Sequence, residues 1–243
     1  MNPYGVRIRE SRDSEDHPSS LAIALGLDVT GSMGSVPHYL VKEGLPHIME
    51  RIIQKIQHPQ LLFMGIGDHE CDEAPLQVGQ FESSDELLDK WLTDLYLEGH
   101  GGGNEGESYM LAWYFCAYHT SIDCFEKRGQ KGYLFTVGDE PVLKRVPENF
   151  LKRLMGPGQY QNFQSAELLD KAREKYNVYH IHIKETASGS RQFVIDGWKQ
   201  LLSDHLLIAE KREDVSTIIA DVVCNSISKP QHSFKPKKED IIL

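Results

Sequence analysis

Leu21-Ala22-Ile23-Ala24-Leu25-Gly26-Leu27-Asp28-Val29-Thr30-Gly31-Ser32-Met33-Gly34 is the stretch whose reading decides the fold. Its first seven residues form an unbroken apolar run. Such a run suits a strand buried on both faces, as in a parallel sheet. The run ends at Asp28, and small residues follow from Thr30 to Ser35. A helical pattern then extends over about 36–56, with Leu40, Val41, Leu45, Ile48, Met49, Ile52 and Ile56 on one face. Pro46 sits inside it and should kink or split it.

The same unit recurs down the chain. Leu61 to Gly67 is a second apolar strand, ending at Asp68, and residues 76–81 read as a third, alternating one. Ser83-Ser84-Asp85-Glu86 matches the S-x-x-E capping box, with Ser83 as N-cap and Glu86 as its reciprocal partner, opening a helix to about Leu97. A long apolar helix is expected over 107–118, a strand over 132–137, and helices over 143–154 and 165–175. A strand at 178–183, a helix at 190–202, a short strand at 206–209 and a helix at 214–226 complete the pattern. This alternation predicts an α/β fold with a mostly parallel central sheet and helices on both faces. Residues 1–19 read as a loose polar leader, 20–228 as one domain and 229–243 as a flexible Pro- and Lys-rich tail.

Bulk properties narrow the function classes. The chain has 243 residues, enough to bury a large core without disulfides or structural metal. Its net charge of -10 repels phosphate backbones, so nucleic acid is not an expected partner. Cys71, Cys116, Cys124 and Cys224 form no C-x-x-C pair, which argues against a zinc knuckle and for reduced thiols in the cytoplasm. Residues 1–20 lack an apolar signal core, and no stretch approaches the roughly 18 apolar residues of a membrane span. A soluble cytoplasmic protein is therefore expected.

In open α/β sheets, ligands bind at the carboxyl edge of the strands, near a reversal of strand order. Three polar loops could meet there: residues 28–34, the glycine-dense loop 99–107, and Gly138-Asp139-Glu140. They carry carboxylates, hydroxyls and amide oxygen but no cysteine. Hard oxygen donors favour Mg²⁺, Ca²⁺ or Mn²⁺ over zinc. In a turn leaving a strand, alternate residues face one point, so Asp28, Thr30 and Ser32 can converge on a cation while Gly31 lets the backbone turn tightly. Mg²⁺ retains waters readily, and an open vertex can accept a carboxylate from another protein.

Asp28-Val29-Thr30-Gly31-Ser32-Met33 resembles the D-x-[ST]-G-S-M form of the metal-ion-dependent adhesion site of von Willebrand factor A-type domains. Gly67-Asp68-His69 resembles the Y-x-D-H stretch of one subgroup. Gly101-Gly102-Gly103-Asn104-Glu105-Gly106-Glu107 resembles its G-G-G-D-x-P-E loop, and Thr136-Val137-Gly138-Asp139-Glu140-Pro141 its T-D-G-E-P loop. The resemblance spans roughly 20–225. It implies a single Rossmann-like domain, a bound Mg²⁺ (with Mn²⁺ or Ca²⁺ as alternatives), and attachment of a protein partner through an Asp or Glu. It also implies work beside an AAA+ ATPase or in a multi-protein assembly; the lack of an apolar span adds the expectation of no membrane partner. Asp28, Thr30, Ser32 and Asp139 would hold the metal. The family's second loop usually supplies a Thr; this loop has none, which leaves Asn104 or Glu107. In the third loop Asp and Gly are swapped, so Asp139 comes one place late.

Other readings compete. D-x-T-G-S alone can be an Asx turn and helix cap. Asp68 reads as a turn residue, and His69-Glu70-Cys71-Asp72 as a solvated loop, since it lacks the second His of H-E-x-x-H. His180 and His182 share one strand face and read as a packed pair. Tyr109, Trp113, Tyr114 and Tyr118 read as core plus surface rather than a nucleobase platform. The nucleophile elbow lacks its first Gly, the phosphotransferase D-x-D its second Asp, and a P-loop is absent. A non-enzymatic binding module is the leading expectation. A Mg²⁺-dependent hydrolase or phosphotransferase with Asp28 as nucleophile is the alternative, and a scaffold with a decayed metal site a third.

Overall fold

The computed structural model describes residues 1–98, 104 and 106–227. In chain order the strands are β1 (Arg9–Ser11), β2 (Leu21–Asp28), β3 (Pro59–Ile66), β4 (Leu76–Val78), β5 (Thr120–Ile122), β6 (Gly132–Gly138), β7 (Arg145–Val146), β8 (Phe163–Gln164), β9 (Tyr176–Ile183) and β10 (Leu206–Ala209). The helices are α1 (Val36–Tyr39), α2 (Leu45–Ile53), α3 (Asp85–Thr93), α4 (Tyr109–Tyr118), α5 (Asp123–Glu126), α6 (Glu148–Met155), α7 (Ser165–Lys175), α8 (Gln192–Leu202) and α9 (Asp214–Ile227).

The central sheet has six strands in the order β10-β9-β6-β2-β3-β4. All its pairings are parallel except β3 with β4 at one edge. The α/β architecture with helices on both faces is therefore as the alternation predicts. Every residue of β2 is buried, which is why its sequence reads as a continuous apolar run rather than an alternating one. α4 lies against β2, β3 and β6 and is packed from outside by α7, while α2 and α9 form a second helical pair. α4 is apolar around its whole circumference, and its residues from Tyr109 to Ala117 are all buried, as such a helix must be.

Several local expectations change. The helix expected over 36–56 breaks into α1, one turn of π-helix at Leu40–Gly44, and α2. The break falls just before Pro46, whose ring denies the backbone one helical hydrogen bond. The helix expected from 143 begins at Glu148; Pro147 keeps Val146 extended, and β7 pairs with β8 instead. α3 starts at Asp85 with Ser84 at the N-cap position and no side-chain cap. Ser83, expected as the cap, instead places its Oγ 3.0 Å from His17 Nε2.

The N-terminal segment is not a loose leader. β1 pairs in parallel with β5, the Val78 N–H donates to the Met1 carbonyl, and Arg12 reaches Asp123 at 2.8 Å. Long-range ion pairs of this kind have no local signature in sequence. The tail 229–243 and loop residues 99–103 and 105 lie outside the described residues. No helix among the described residues is long and apolar enough to cross a membrane.

Candidate functional site

The strand order reverses around β2: β3 follows on one side, and the chain returns to build β6 on the other. Leu27 pairs with Val137, so β2 and β6 end side by side and their exit loops begin together. This is the crevice where α/β sheets place their ligands.

Asp28 is the last residue of β2 and is fully buried. Its Oδ1 accepts the Thr30 N–H at 3.0 Å and the Thr30 hydroxyl at 2.6 Å. Its Oδ2 accepts the Tyr109 hydroxyl at 2.6 Å. Gly31 to Met33 form one 3₁₀ turn, and the left-handed residue that closes it is Gly34 (φ 55°), not Gly31. The turn aims Ser32 back at the crevice, where its hydroxyl donates to Asp139 Oδ1 at 3.0 Å. Thr30 and Ser32 oxygens stand 3.2 Å apart.

Asp139 thus joins the cluster despite its late position in the motif, and the reason lies in Gly138. A Cβ at 138 would sit 1.9 Å from the Tyr109 hydroxyl oxygen. Only glycine leaves room for the phenol to reach Asp28, so the acid must come one residue later. Tyr109 was the residue sequence reasoning missed. Its only sequence-level signal is that a tyrosine buried at the start of an apolar helix needs a partner for its hydroxyl.

Glu107 also belongs here. Its N–H donates to the Pro141 carbonyl at 2.8 Å, and its carbonyl accepts the Leu143 N–H, so the second and third loops are laced together. Its carboxylate is buried, with Oε2 unpartnered. Asn104, the other second-loop candidate, donates instead to Glu70 at 2.9 Å in an exposed contact. Asp68 makes the expected turn, accepting the Glu70 N–H at 2.8 Å, but its Oδ2 is buried and unpartnered. His180 and His182 are both buried; His180 stacks on Trp198 (centroids 3.6 Å apart), and His182 Nε2 lies 2.8 Å from the Gly189 carbonyl. They are packed as expected, and His180 lies edge to face against Tyr109.

The electrostatics are unusual for a set of acids. Burial pushes the Asp28 carboxyl up to about 7; the Asp139 charge adds to the rise, and hydrogen bonds from Thr30 and Tyr109 oppose it. Burial pushes Glu107 up to about 10, reinforced by the charges of Asp28, Asp68 and Asp72. Asp139 Oδ2 is buried with no partner. Glu140, one residue on, is held by Arg191 at 3.0 Å. Clustered buried acids without a counter-cation are costly.

A divalent cation fits this arrangement. The Thr30 and Ser32 hydroxyls lie within hydrogen-bond distance of Asp28 and Asp139 respectively and of each other, which gathers two hydroxyl oxygens and two carboxylates at one point. The 3.2 Å between these hydroxyl oxygens is also close to the roughly 3.0 Å between neighbouring ligands of an octahedral Mg²⁺ at about 2.1 Å. No three His, Cys, Asp or Glu side chains among the described residues form a cation site by themselves. The donors that fit are two hydroxyls and the unpartnered oxygens of Asp139 and Glu107, with water for the rest. Asp28, its oxygens taken by Thr30 and Tyr109, orients a donor rather than being the most open one.

No protein-family model matches the sequence, and no curated protein matches it significantly. Solved structures similar in fold include the pilus adhesin SpaC from Lactobacillus rhamnosus GG in an open conformation, with TM-score 0.58 and 12% identity over 88% of this chain and 31% of that one. Proximal thread matrix protein 1 from the mussel byssus aligns with TM-score 0.57 and 10% identity, over 84% of this chain and 48% of that one. The vWF domain of the type V pili tip protein Mfa5 from Porphyromonas gingivalis aligns with TM-score 0.56 and 8% identity, over 88% of this chain and 98% of that one. This chain thus spans less than half of the first two proteins and nearly all of the third. At these identities the likeness is one of fold, and the fold is one shared with the vWF domain of Mfa5.

Proposed function

We propose that this chain is a protein-interaction module that holds Mg²⁺ at Thr30, Ser32, Asp139 and Glu107 and presents it to an Asp or Glu of a partner. Asp28 and Tyr109 position the first of these donors. The observation that carries the reading is the pair of hydroxyl oxygens 3.2 Å apart in one cluster with the buried, unpartnered carboxylate oxygens of Asp139 and Glu107. The bound ion would offset the repulsion between an acidic protein and an acidic partner residue, a local electrostatic attachment. Mn²⁺ or Ca²⁺ offers the same oxygen chemistry. An AAA+ ATPase or another multi-protein assembly is the kind of partner that the sequence resemblance implies.

The phosphotransferase alternative needs Asp28 as a nucleophile with an oxygen free to attack. Both oxygens of Asp28 already accept hydrogen bonds of 2.6 Å, and the residue is fully buried. That disfavours it.

Thermal denaturation in EDTA, Mg²⁺, Mn²⁺ and Ca²⁺, on wild type and Asp139→Ala, tests the reading. A ligand at about 100 times its Kd adds about 2.7 kcal/mol of stability. The expected result is a metal-specific rise in wild type that Asp139→Ala loses. Identical melts in EDTA and in every metal would sink the proposal. Turnover of a phosphomonoester abolished by Asp28→Asn would replace it with the enzyme reading.

A further inference from the structure

The opposite edge of the sheet, where β2 and β3 begin, brings together a different set of donors. His17 stands in the loop before β2, and His58 immediately precedes β3. β2 and β3 pair from Leu21 opposite Pro59, and the Leu21 N–H donates to the His58 carbonyl at 2.9 Å. The backbone ladder therefore fixes the two loops side by side. The rings meet edge to face, with centroids 5.5 Å apart and planes at 75°. Their Nδ1 atoms are 3.4 Å apart.

That spacing is long for a hydrogen bond, since an N–H donor normally sits about 2.9–3.0 Å from its acceptor. It also matches coordination: two imidazole nitrogens, each about 2.0–2.1 Å from a tetrahedral ion, stand about 3.3–3.4 Å apart. Ser83 Oγ, 3.0 Å from His17 Nε2, supplies the second feature. When Nε2–H donates to this oxygen, the proton is held on Nε2 and the Nδ1 lone pair faces His58. Metal-binding histidines are oriented in this way by a partner on the far ring nitrogen. Both rings are half-buried, so protein fixes their bodies while water can reach the remaining coordination positions.

We propose that His17 and His58 form a binding site for a transition-metal ion of the Zn²⁺ class, with two Nδ1 donors, water in the other positions and Ser83 as the positioning residue. Nitrogen donors select Zn²⁺, Cu²⁺ or Ni²⁺ over Mg²⁺ and Ca²⁺. The site is thus separate in place and in chemistry from the oxygen cluster at Asp28, and it does not depend on the function proposed there. A bound ion would clamp the loop before β2 onto the start of β3.

Zn²⁺ titration against a competing chromophoric chelator at neutral pH, with the whole chain, tests it. Wild type should take up Zn²⁺ in competition with the chelator. His58→Gln and His17→Gln should each weaken it at least about tenfold, and Ser83→Ala by about tenfold, the range for losing a partner of a ligating histidine. With Cu²⁺ as the probe, nitrogen hyperfine coupling in the EPR spectrum should come from two nitrogens in wild type and one in either histidine variant. Far-UV circular dichroism checks that each variant is folded, and the two histidine variants provide independent readings. Zn²⁺ affinity and stoichiometry unchanged in both histidine variants, or no Zn²⁺ uptake by wild type, would overturn the proposal.

Discussion

Two buried aspartates in this molecule are treated in opposite ways. Asp123, near the N-terminal segment, is 1% exposed, and Asp28, at the carboxyl edge of the sheet, is fully buried. Burial alone would raise both. At Asp123, hydrogen bonds from Lys127, the Asp13 backbone and Arg12 outweigh burial and hold the carboxyl at about 2. At Asp28 the hydrogen bonds come from neutral hydroxyls and an amide, the nearest charge is another acid, and the carboxyl rises to about 7. The first region is a finished ion-pair network that fastens residues 9–13 to α5. The second keeps charge that the described protein residues do not neutralise. On the function proposed above, the first acid is structural and the second is left for a bound cation to neutralise.

Removing each acid should break this comparison with effects of very different size. Asp123→Ala strips three donors of their acceptor and should cost about 3 kcal/mol in urea unfolding, the range for breaking charged hydrogen bonds in a buried setting. Asp28→Asn, measured in EDTA, should cost far less or stabilise the fold, because it removes one of a set of repelling acids. A loss at Asp28 as large as that at Asp123 would show that the carboxylate is structural.

The next largest effect concerns the space that lets Tyr109 reach Asp28. Gly138→Ala places a methyl where the phenol oxygen lies. It should destabilise by about 2 kcal/mol, the range for overpacking, and should also abolish the metal-dependent rise in melting temperature. An alanine variant that melts and binds Mg²⁺ like wild type would refute this account of why glycine precedes Asp139.

Stability against pH sharpens the contrast. Asp28 is raised from an unfolded value of about 3.9, so its folded form holds a proton that the unfolded form has lost. In EDTA, stability should fall as pH rises from about 4 towards 7, and Glu107 should extend the fall towards 10. Saturating Mg²⁺ should flatten it. Asp123 acts in the other direction: its contribution is present above about 4 and is lost as pH falls through about 2. Unfolding curves in EDTA that are level between pH 5 and 7, on the order of the window named, would contradict the description of Asp28.

The smallest effect belongs to one hydroxyl. Tyr109→Phe removes a single hydrogen bond and should cost about 1 kcal/mol in stability. Since that bond lowers the Asp28 carboxyl, the variant should also shift the fall in stability to higher pH. An unmoved profile would mean that Tyr109 does not hold Asp28.

Much of the fold was legible because its signals are local. Buried parallel strands tend to read as long apolar runs, and β2, most of β3 and β6 do; their polar exits, Asp28, Asp68 and Gly138-Asp139, mark the edge where α/β sheets place ligands. Spacing alone placed Asp28, Thr30 and Ser32 together, because three residues of one turn have few ways to diverge. Sequence by itself therefore determined the α/β class, the main strands and the first loop of the site. Tertiary structure decided the rest. The strand register set Asp139 opposite Ser32, and the bulk of Tyr109 explains the order Gly138-Asp139. Pairing with β5 drew in the segment that reads as a leader, and a neighbouring histidine took Ser83 from its expected cap. Each depends on which distant residue occupies the adjoining space, and no pattern along the chain records that.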